Sequence, residues 1–283
     1  MSGTDLTTWA EDGLPLTAVT SLALFGAAFV VGVLTRKHRV VDVVWGLAFT
    51  AVAVVSFVLS SGHGDAARRT LALVLTAVWG LRLAVHIAAR SRGKPEDPRY
   101  EALLAKARGS RAWFAFTRVY LLQALLVWLI SLPIQIAAFG TAPPGPQTAA
   151  ACALWLLGFG FEAVSDWQLE RFRADPAHHG KLMTSGLRRY TRHPNYFGDA
   201  CVWWGLFLLA ADQRAGLCTI ASPVLMTLLL TAGSGMRLAD RHMARTRPEF
   251  AEYARRTSGF IPWPPRDADA DAGPGSGSGS GSD

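Results

Sequence analysis

The stretch LPLTAVTSLALFGAAFVVGVL, residues 14–34, is the clearest indication of the fold class of this chain. It contains no charged residue, and its apolar side chains leave no polar face to turn towards water. A helix needs ~20 apolar residues to cross the ~30 Å of hydrocarbon in a bilayer. The stretch therefore predicts a transmembrane helix and not a helix of a soluble protein.

Further apolar runs of the same kind follow along the chain. The predicted spans are roughly residues 14–34, 40–60, 70–90, 113–139, 148–166, 196–211 and 215–236, of which the fourth is long and the sixth is short. Only 17% of the residues are charged, whereas a soluble domain carries about 25%. The predicted fold class is an all-α polytopic membrane protein with about seven transmembrane helices.

Connections that are rich in basic residues alternate along the chain with connections that are poor in them. The connections 90–112 and 167–195 hold seven and six Lys or Arg, and the segment 237–266 holds seven, whereas 140–146 holds none. Because Lys and Arg stay on the cytoplasmic side, we expect the N-terminus outside and the C-terminus in the cytoplasm. Acidic residues and no basic ones precede the first span, so a cleavable signal peptide is not expected.

The domain organisation follows from a stiff turn at 143–146. We predict an extracytoplasmic tail (1–13), a four-helix half (14–146), a three-helix catalytic half (147–265) and a disordered tail (266–283). The net charge of +7 is explained by cytoplasmic loops beside anionic lipid, so membrane lipids are predicted partners and nucleic acid is not. We expect Cys152, Cys201 and Cys218 to be small apolar packing residues, because they lack the spacing of metal ligands. No metal site is predicted.

Charged side chains inside spans mark sites or packing partners, because burying them is costly. Asp42 lies about one turn into the second span, and Arg82, His86 and Arg90 share one face of the third. One interpretation is a structural ion pair of Asp42 with His86 or Arg82. The other is a functional site.

Two polar stripes mark the C-terminal half. Glu162, Asp166 and Arg173 fall on one helix face at the end of the fifth span. Arg237, Arg241 and Arg245 form a second stripe after the seventh span. The alternative for each stripe is an ordinary helix end with side chains reaching for water.

Residues 187–199, LRRYTRHPNYFGD, predict a re-entry loop that leads into the sixth span. Gly186 suits a helix stop and Pro194 a first helical turn. Backbone amides at such a helix start, near Arg192 and two further arginines, suit a phosphate. Asn195 and Asp199 lie one turn apart there. They are expected either to contact a ligand or only to cap the helix. Together these groups predict a cofactor chamber open to the cytoplasm.

The segment Gly186 to Asp199 resembles the C-terminal catalytic domain of steroid 5α-reductases and their bacterial relatives, and it is also similar to sterol C14-reductases. Motifs that match the bacterial 5α-reductase-like branch lie at 39–46, 79–83, 90–100, 249–253 and 257–262. The resemblance reaches to about Pro264. It implies a seven-spanning reductase, here in a bacterial inner membrane, that takes NADPH from the cytoplasm. We expect a monomer.

The resemblance also implies site residues. The cofactor-binding candidates are Glu162, Asp166, Arg173, Lys181, Arg192, His193, Asn195, Tyr196, Asp199, Arg237 and Arg241. Glu162 stands where steroid reductases usually have Asn, Arg241 where they have His, and Lys181 where they have Arg.

The residues expected to contact the substrate differ more from those of steroid reductases than the cofactor-binding candidates do. A Glu and a Tyr polarise the substrate carbonyl in those enzymes. Asp42 lies near the Glu position, but no Tyr stands at the matching place around residues 79–80. The catalytic candidates are Asp42, His86 and Tyr100.

Two enzyme functions are consistent with the sequence. The first is NADPH-dependent reduction of an activated carbon–carbon double bond in a steroid-like, isoprenoid or fatty acyl substrate. The second is S-adenosylmethionine-dependent methyl transfer, as in isoprenylcysteine carboxyl methyltransferases, which share an Arg-His-Pro loop but usually carry a Glu-Glu pair that residues 237–241 lack. An inactive scaffold or lipid-binding protein is a third interpretation.

Overall fold

The computed structural model describes residues 3–233 and 235–266, and within them the regular structure is helical, without a β-strand. The α-helices are α1 (Gly3–Thr8), α2 (Leu14–Thr35), α3 (Val40–Leu59), α4 (Ala66–Ser91), α5 (Pro98–Leu104), α6 (Arg111–Ala115), α7 (Leu122–Ile130), α8 (Leu132–Ala138), α9 (Pro146–Ala174), α10 (Pro194–Ala210), α11 (Arg214–Leu217), α12 (Ala221–Thr231), α13 (Met236–Thr246) and α14 (Phe250–Arg256). Apart from Arg266, the predicted disordered tail lies outside the described residues.

Among the residues that the structure describes, six helical stretches are long and apolar enough to cross a membrane. They are Asp5–Thr35, Val40–Leu59, Ala66–Ser91, Arg111–Ile130, Pro146–Ala174 and Arg214–Thr246. The predicted sixth span forms α10, which has 17 residues and is therefore ~25 Å long. The prediction of an all-α polytopic membrane protein is confirmed.

Large apolar side chains on these helices remain exposed. Leu34 is 78% exposed, Val85 68% and Val58 63%. Such side chains would form adhesive patches in water, but they face a favourable environment in the hydrocarbon of a bilayer. The distribution of exposed side chains thus agrees with the membrane fold.

The chain divides into two compact units. Unit one comprises Met1–Leu156 and Val202–Met226, and unit two comprises Leu157–Cys201 and Thr227–Asp283. The predicted functional halves, 14–146 and 147–265, remain a prediction about activity. The two units are described in turn.

The centre of unit one is a close crossing of α3 and α4. A Cβ atom on Gly80 would lie 2.5 Å from the Gly46 carbonyl oxygen and 2.6 Å from the Thr50 hydroxyl, so only glycine lets the two backbones approach. The rings of Phe49, Trp79 and Trp203 fill the adjoining space, with centroids 4.4–5.8 Å apart.

A buried arginine fixes the N-terminal end of α4. Arg68 is 2% exposed, and its guanidinium donates to the carbonyl oxygens of Ala142 (2.9 Å) and Leu209 (2.6 Å) and forms an ion pair with Asp212. Arg69 donates to the Ser60 hydroxyl at 2.9 Å. These two arginines therefore hold helix ends together within unit one.

The predicted fourth span, 113–139, is divided in the structure. A π-helical stretch (Phe116–Leu121) precedes α7, which ends at Ile130, and α8 begins at Leu132. Pro133 has no N–H to donate to the Leu129 carbonyl four residues earlier, and the Ser222 hydroxyl donates to that oxygen instead at 2.9 Å. The predicted single helix to residue 139 is thus corrected to two helices.

Candidate functional site

The polar centre of unit one lies where α3 begins. Asp42, in the first turn of α3, accepts a hydrogen bond from the Tyr100 hydroxyl at 2.5 Å and one from the Arg99 guanidinium at 3.1 Å. Two of the three catalytic candidates, Asp42 and Tyr100, are therefore brought into direct contact. We call Asp42, Arg99 and Tyr100 the acid cluster.

The third candidate, His86, lies half-buried on α4. The contacts that the structure gives Asp42 are with Arg99 and Tyr100, because the chain returns after α4 and places α5 beside the start of α3. The pairing of Asp42 with His86 or Arg82 stays a prediction.

The segment 94–100 is fixed on the turn between α2 and α3 by backbone bonds. The Glu96 carboxylate accepts the backbone N–H groups of His38 and, at 3.0 Å, Arg39. The Arg39 guanidinium donates to the Pro95 carbonyl oxygen at 2.6 Å, and Lys37 donates to that of Lys94 at 3.3 Å. The position of Tyr100 is therefore set by the backbone and not only by its own side chain.

Electrostatics keep the Tyr100 phenol protonated. Burial raises its pKa far above the ordinary 10.0, and the neighbouring Asp42 raises it further. Burial alone would also raise the pKa of Asp97, but its hydrogen bonds from Arg99 outweigh burial and hold that pKa below its usual range. Asp97 is thus a charged anchor for Arg99, and Tyr100 is a neutral O–H donor.

Gln123 also approaches this centre. Its side-chain oxygen accepts from the Trp45 indole N–H at 2.5 Å, and its amide is close enough to Tyr100 to oppose part of the rise in the pKa of that phenol. Gln123 was missed by the sequence reasoning, because a single Gln in an apolar run gives no periodic signal. Arg99 stood inside a quoted motif, but nothing in its spacing indicated that it reaches Asp42.

In unit two, the re-entry loop is held by the C-terminal segment. The Arg192 N–H donates to the Ser258 carbonyl at 2.8 Å, and the Trp263 N–H donates to the Tyr190 carbonyl at 2.9 Å. The Tyr253 hydroxyl donates to the Arg188 carbonyl at 2.5 Å. The loop is therefore a packed element with a defined shape.

Asp240 joins this loop to α13. It accepts from Arg192 at 2.9 Å and is hydrogen-bonded to His193 at 2.7 Å. His193 is buried, and its ring stacks on that of Tyr196 with centroids 5.3 Å apart. These contacts fix Arg192 and His193 between the loop and α13, and Asp240, which the sequence reasoning did not select, is the residue they share.

The start of α10 agrees with the predicted first turn. The helix begins at Pro194, and Asn195 and Asp199 lie half-buried within its first two turns. Gly198 faces α9, where an added Cβ would lie 2.7 Å from the Glu162 amide nitrogen. The α9–α10 approach thus buries Glu162, which is 4% exposed.

Gly186 does not stop a helix, contrary to the sequence interpretation. Helix α9 ends earlier, at Ala174, and Gly186 opens a 3₁₀ turn with a φ of +61°. The left-handed conformation suits glycine. The Leu187 amide that follows donates to the Gln168 side chain at 3.0 Å, which fastens the turn to α9.

Four of the basic residues predicted to contact the cofactor lie on the surface. Arg173, Lys181, Arg237 and Arg241 are exposed, and Asp166 is half-buried. Arg188, which the predicted set omitted, is largely buried, and this burial lowers its pKa while Asp166 and Tyr196 lie near enough to counter the shift. Among the described residues, no group of three or more His, Cys, Asp or Glu could hold a metal ion.

The helices and polar centres define a polytopic all-α membrane protein. The chain belongs to the family described as protein of unknown function DUF1295, whose model matches residues 28–257. This family is related to steroid 5α-reductase-like and methyltransferase-like membrane proteins.

Two relatives illustrate the range of similarity. An uncharacterised protein of Schizosaccharomyces pombe, C594.04c, is 23% identical over 274 residues, which cover 88% of this chain and 78% of the relative. The cobalt-zinc-cadmium resistance protein CzcN of Cupriavidus metallidurans is 38% identical over 81 residues, which cover 29% of this chain and 35% of that protein. No solved structure gives a significant match.

Proposed function

We propose that the protein reduces an activated carbon–carbon double bond in a lipid-soluble substrate and uses NADPH as reductant. The observation that carries this proposal is the 2.5 Å contact between the Tyr100 hydroxyl and the Asp42 carboxylate, with Arg99 on the same carboxylate. A neutral phenol coupled to a carboxyl group is suited to polarising a carbonyl oxygen. Methyl transfer does not need such a donor.

Tyr100 has the role of acid in this proposal. When Asp42 is protonated, its O–H is directed to the Tyr100 oxygen, and the phenol O–H is then available for the substrate carbonyl. Arg99 stabilises the negative charge that the cluster acquires after it has given up a proton. The backbone bonds of segment 94–100 keep the phenol oriented, so little reorganisation accompanies proton transfer.

NADPH would supply a hydride to the β-carbon of the double bond and leave as NADP⁺. The π electrons move towards the carbonyl oxygen, which takes the proton of Tyr100, and the resulting enol returns to the ketone with a proton on the α-carbon. Asp42 re-protonates the phenol and is itself re-protonated from water. One hydride and one proton are thus added across the double bond.

The basic groups of unit two suit a phosphorylated cofactor. Arg173, Lys181, Arg237 and Arg241 are exposed and can each donate to phosphate oxygens. Asn195 can both donate and accept, as a carboxamide or a ribose hydroxyl requires. Arg192 and His193 are bound to Asp240, so we assign them the positioning of the loop and not direct cofactor contact.

The setting of the reaction is also part of the proposal. We infer a monomer in a bacterial inner membrane, with the C-terminus and the cofactor on the cytoplasmic side. The basic connections support this orientation. The substrate would enter from the surrounding lipid.

Ligand-induced thermal stabilisation tests the choice of cofactor. The detergent-solubilised protein is heated with NADPH alone and with S-adenosylmethionine alone. A ligand at 100 times its Kd stabilises the folded state by ~2.7 kcal/mol. Stabilisation by NADPH supports the reductase, whereas stabilisation by S-adenosylmethionine alone would replace it with the methyltransferase.

A further inference from the structure

A basic cavity of about 380 Å³ lies beside α14 within unit two. Four arginines line it, Arg192, Arg255, Arg256 and Arg266, and no Asp or Glu occurs among the described lining residues. A cavity lined by charge of one sign concentrates ligands of the opposite sign. Its chemistry therefore suits the oxygens of a phosphate group.

Two carbonyl groups in the cavity wall already accept hydrogen bonds from an arginine. The Arg192 guanidinium donates to the carbonyl oxygens of Ala254 at 3.1 Å and Thr257 at 2.7 Å. The C-terminus of a helix otherwise carries partial negative charge that repels anions. These two bonds reduce that repulsion.

Two of the arginines remain available for a ligand. Arg255 is exposed, and Arg256 lies 3.6 Å from Glu252 in an exposed pair, which contributes little. A phosphate could therefore recruit both guanidinium groups without breaking a buried bond.

Exposed apolar side chains occur in the segment 257–266, which supplies part of the cavity lining. Ile261 is 63% exposed and Trp263, which lines the cavity, is 69% exposed. The Trp263 backbone is fixed, because its N–H donates to the Tyr190 carbonyl at 2.9 Å. Trp is enriched at membrane–water interfaces, and basic groups beside apolar ones are typical of segments that bind anionic membrane surfaces.

We propose that this cavity binds the phosphate of an anionic phospholipid headgroup, with Ile261 and Trp263 against the adjoining acyl chains. The basic groups specify an anionic headgroup, and the exposed apolar side chains specify a lipid over a free phosphate. Of the predicted cofactor residues in the described chain, Arg192 alone lines the cavity, and its guanidinium is already held by Asp240 and by two carbonyl oxygens. The lipid site uses Arg255, Arg256 and Arg266 and does not depend on the proposed reductase activity.

The test uses the full-length protein in non-ionic detergent. Dihexanoyl phosphatidylglycerol, dihexanoyl phosphatidylcholine and inorganic phosphate are titrated separately, and the dissociation constants are measured by thermophoresis. The variants are Arg255→Gln/Arg256→Gln and, as a matched control, Lys106→Gln/Arg108→Gln, which removes the same charge from exposed positions in unit one. Arg266→Gln provides a second, single variant at the cavity.

We expect phosphatidylglycerol to bind more tightly than either other probe, and the Arg255/Arg256 variant to weaken it by roughly tenfold or more. The control variant should change the dissociation constant for phosphatidylglycerol less than about twofold. The single variant Arg266→Gln should weaken binding by more than the control and by less than the Arg255/Arg256 variant. Equal weakening in the cavity and control variants would overturn the proposal. Phosphate binding as tight as phosphatidylglycerol, or displacement of the lipid by NADPH, would also overturn it and leave a free-phosphate or cofactor site.

Discussion

The Tyr100 hydroxyl lies 2.5 Å from the Asp42 carboxylate, although 58 residues separate the two in sequence. Asp42 belongs to the first turn of α3, and Tyr100 to α5, which follows the long helix α4. The chain turns back after α4, and Glu96 fixes the returning segment to the turn before α3. The Asp42 carboxylate, at the start of the span α3, is thereby joined to the Tyr100 phenol on the short helix α5.

Cofactor binding depends on exposed arginines in the proposed function. We predict that Arg173→Ala and Arg237→Ala each weaken NADPH binding by roughly 1.5–3 kcal/mol, the scale of a hydrogen bond to a charged group. Titration of NADPH into the purified variants measures the change, with Arg108→Ala as an exposed control. Unchanged affinity in both well-folded variants would remove these residues from the cofactor site.

The buried ion pair of unit one has a structural role. We predict that Arg68→Ala destabilises the protein by roughly 3–5 kcal/mol, because it leaves Asp212 without its counter-charge and two carbonyl oxygens without donors. Thermal unfolding in detergent measures the loss, with the exposed Arg111→Ala as control. A melting temperature equal to that of the control would show that the pair contributes nothing.

The Tyr253 hydroxyl, which donates to the Arg188 carbonyl, gives a pH-dependent prediction. Tyr253→Phe should cost ~1 kcal/mol near neutral pH, since one hydrogen bond of the re-entry loop is lost. Burial raises the pKa of Tyr253 from 10.0 to about 12. Because the pKa is higher in the folded state, the contribution of the Tyr253 hydroxyl to the free energy of unfolding is complete below pH 10. It is lost as the pH rises through about 12.

The difference in melting temperature between wild type and Tyr253→Phe should therefore shrink above pH 10 and change sign before about pH 12. Tyr190→Phe, which alters an exposed ring, serves as control and should show no such change. A difference that stayed constant through this range would contradict the assignment.

Topology can be tested at the turn before α9. We predict that a cysteine at Gly145, where an added Cβ meets no neighbour within 4 Å, is labelled from the external side. The background carries Cys152, Cys201 and Cys218 replaced by Ala, and Lys106→Cys marks the cytoplasmic side. Labelling of the Gly145→Cys protein from the cytoplasm alone would invert the topology.

The membrane fold could be predicted from the sequence because apolar runs without a polar face have few other solutions. Helix breaks were harder to place. Pro133 lay inside a long apolar run, and its effect depends on Ser222, a distant residue that donates to the Leu129 carbonyl. Hydropathy averages such local features away.

The acid cluster was predicted only in part. Asp42 and Tyr100 were selected singly, but their contact depends on the return of the chain after α4, which no local pattern encodes. Asp240 was missed for a similar reason: an acid in a basic helix resembles an ordinary surface residue until Arg192 and His193 are seen to share it. Long-range pairing is the part of a site that spacing does not reveal.

Deuteride transfer from 4-deuterated NADPH to an enone tests the central claim most directly. The purified protein, Tyr100→Phe and the control Tyr120→Phe are incubated with a panel of lipid-soluble enones, and the products are analysed by mass spectrometry. The control removes another buried phenol hydroxyl of unit one. We predict deuterium at the β-carbon with wild type and Tyr120→Phe, and a fall in kcat/KM of roughly 10²–10⁴-fold for Tyr100→Phe, the range for loss of a general acid. Reduction that proceeds equally well without the Tyr100 hydroxyl, or transfer of a methyl group from S-adenosylmethionine with none of deuterium, would contradict the account.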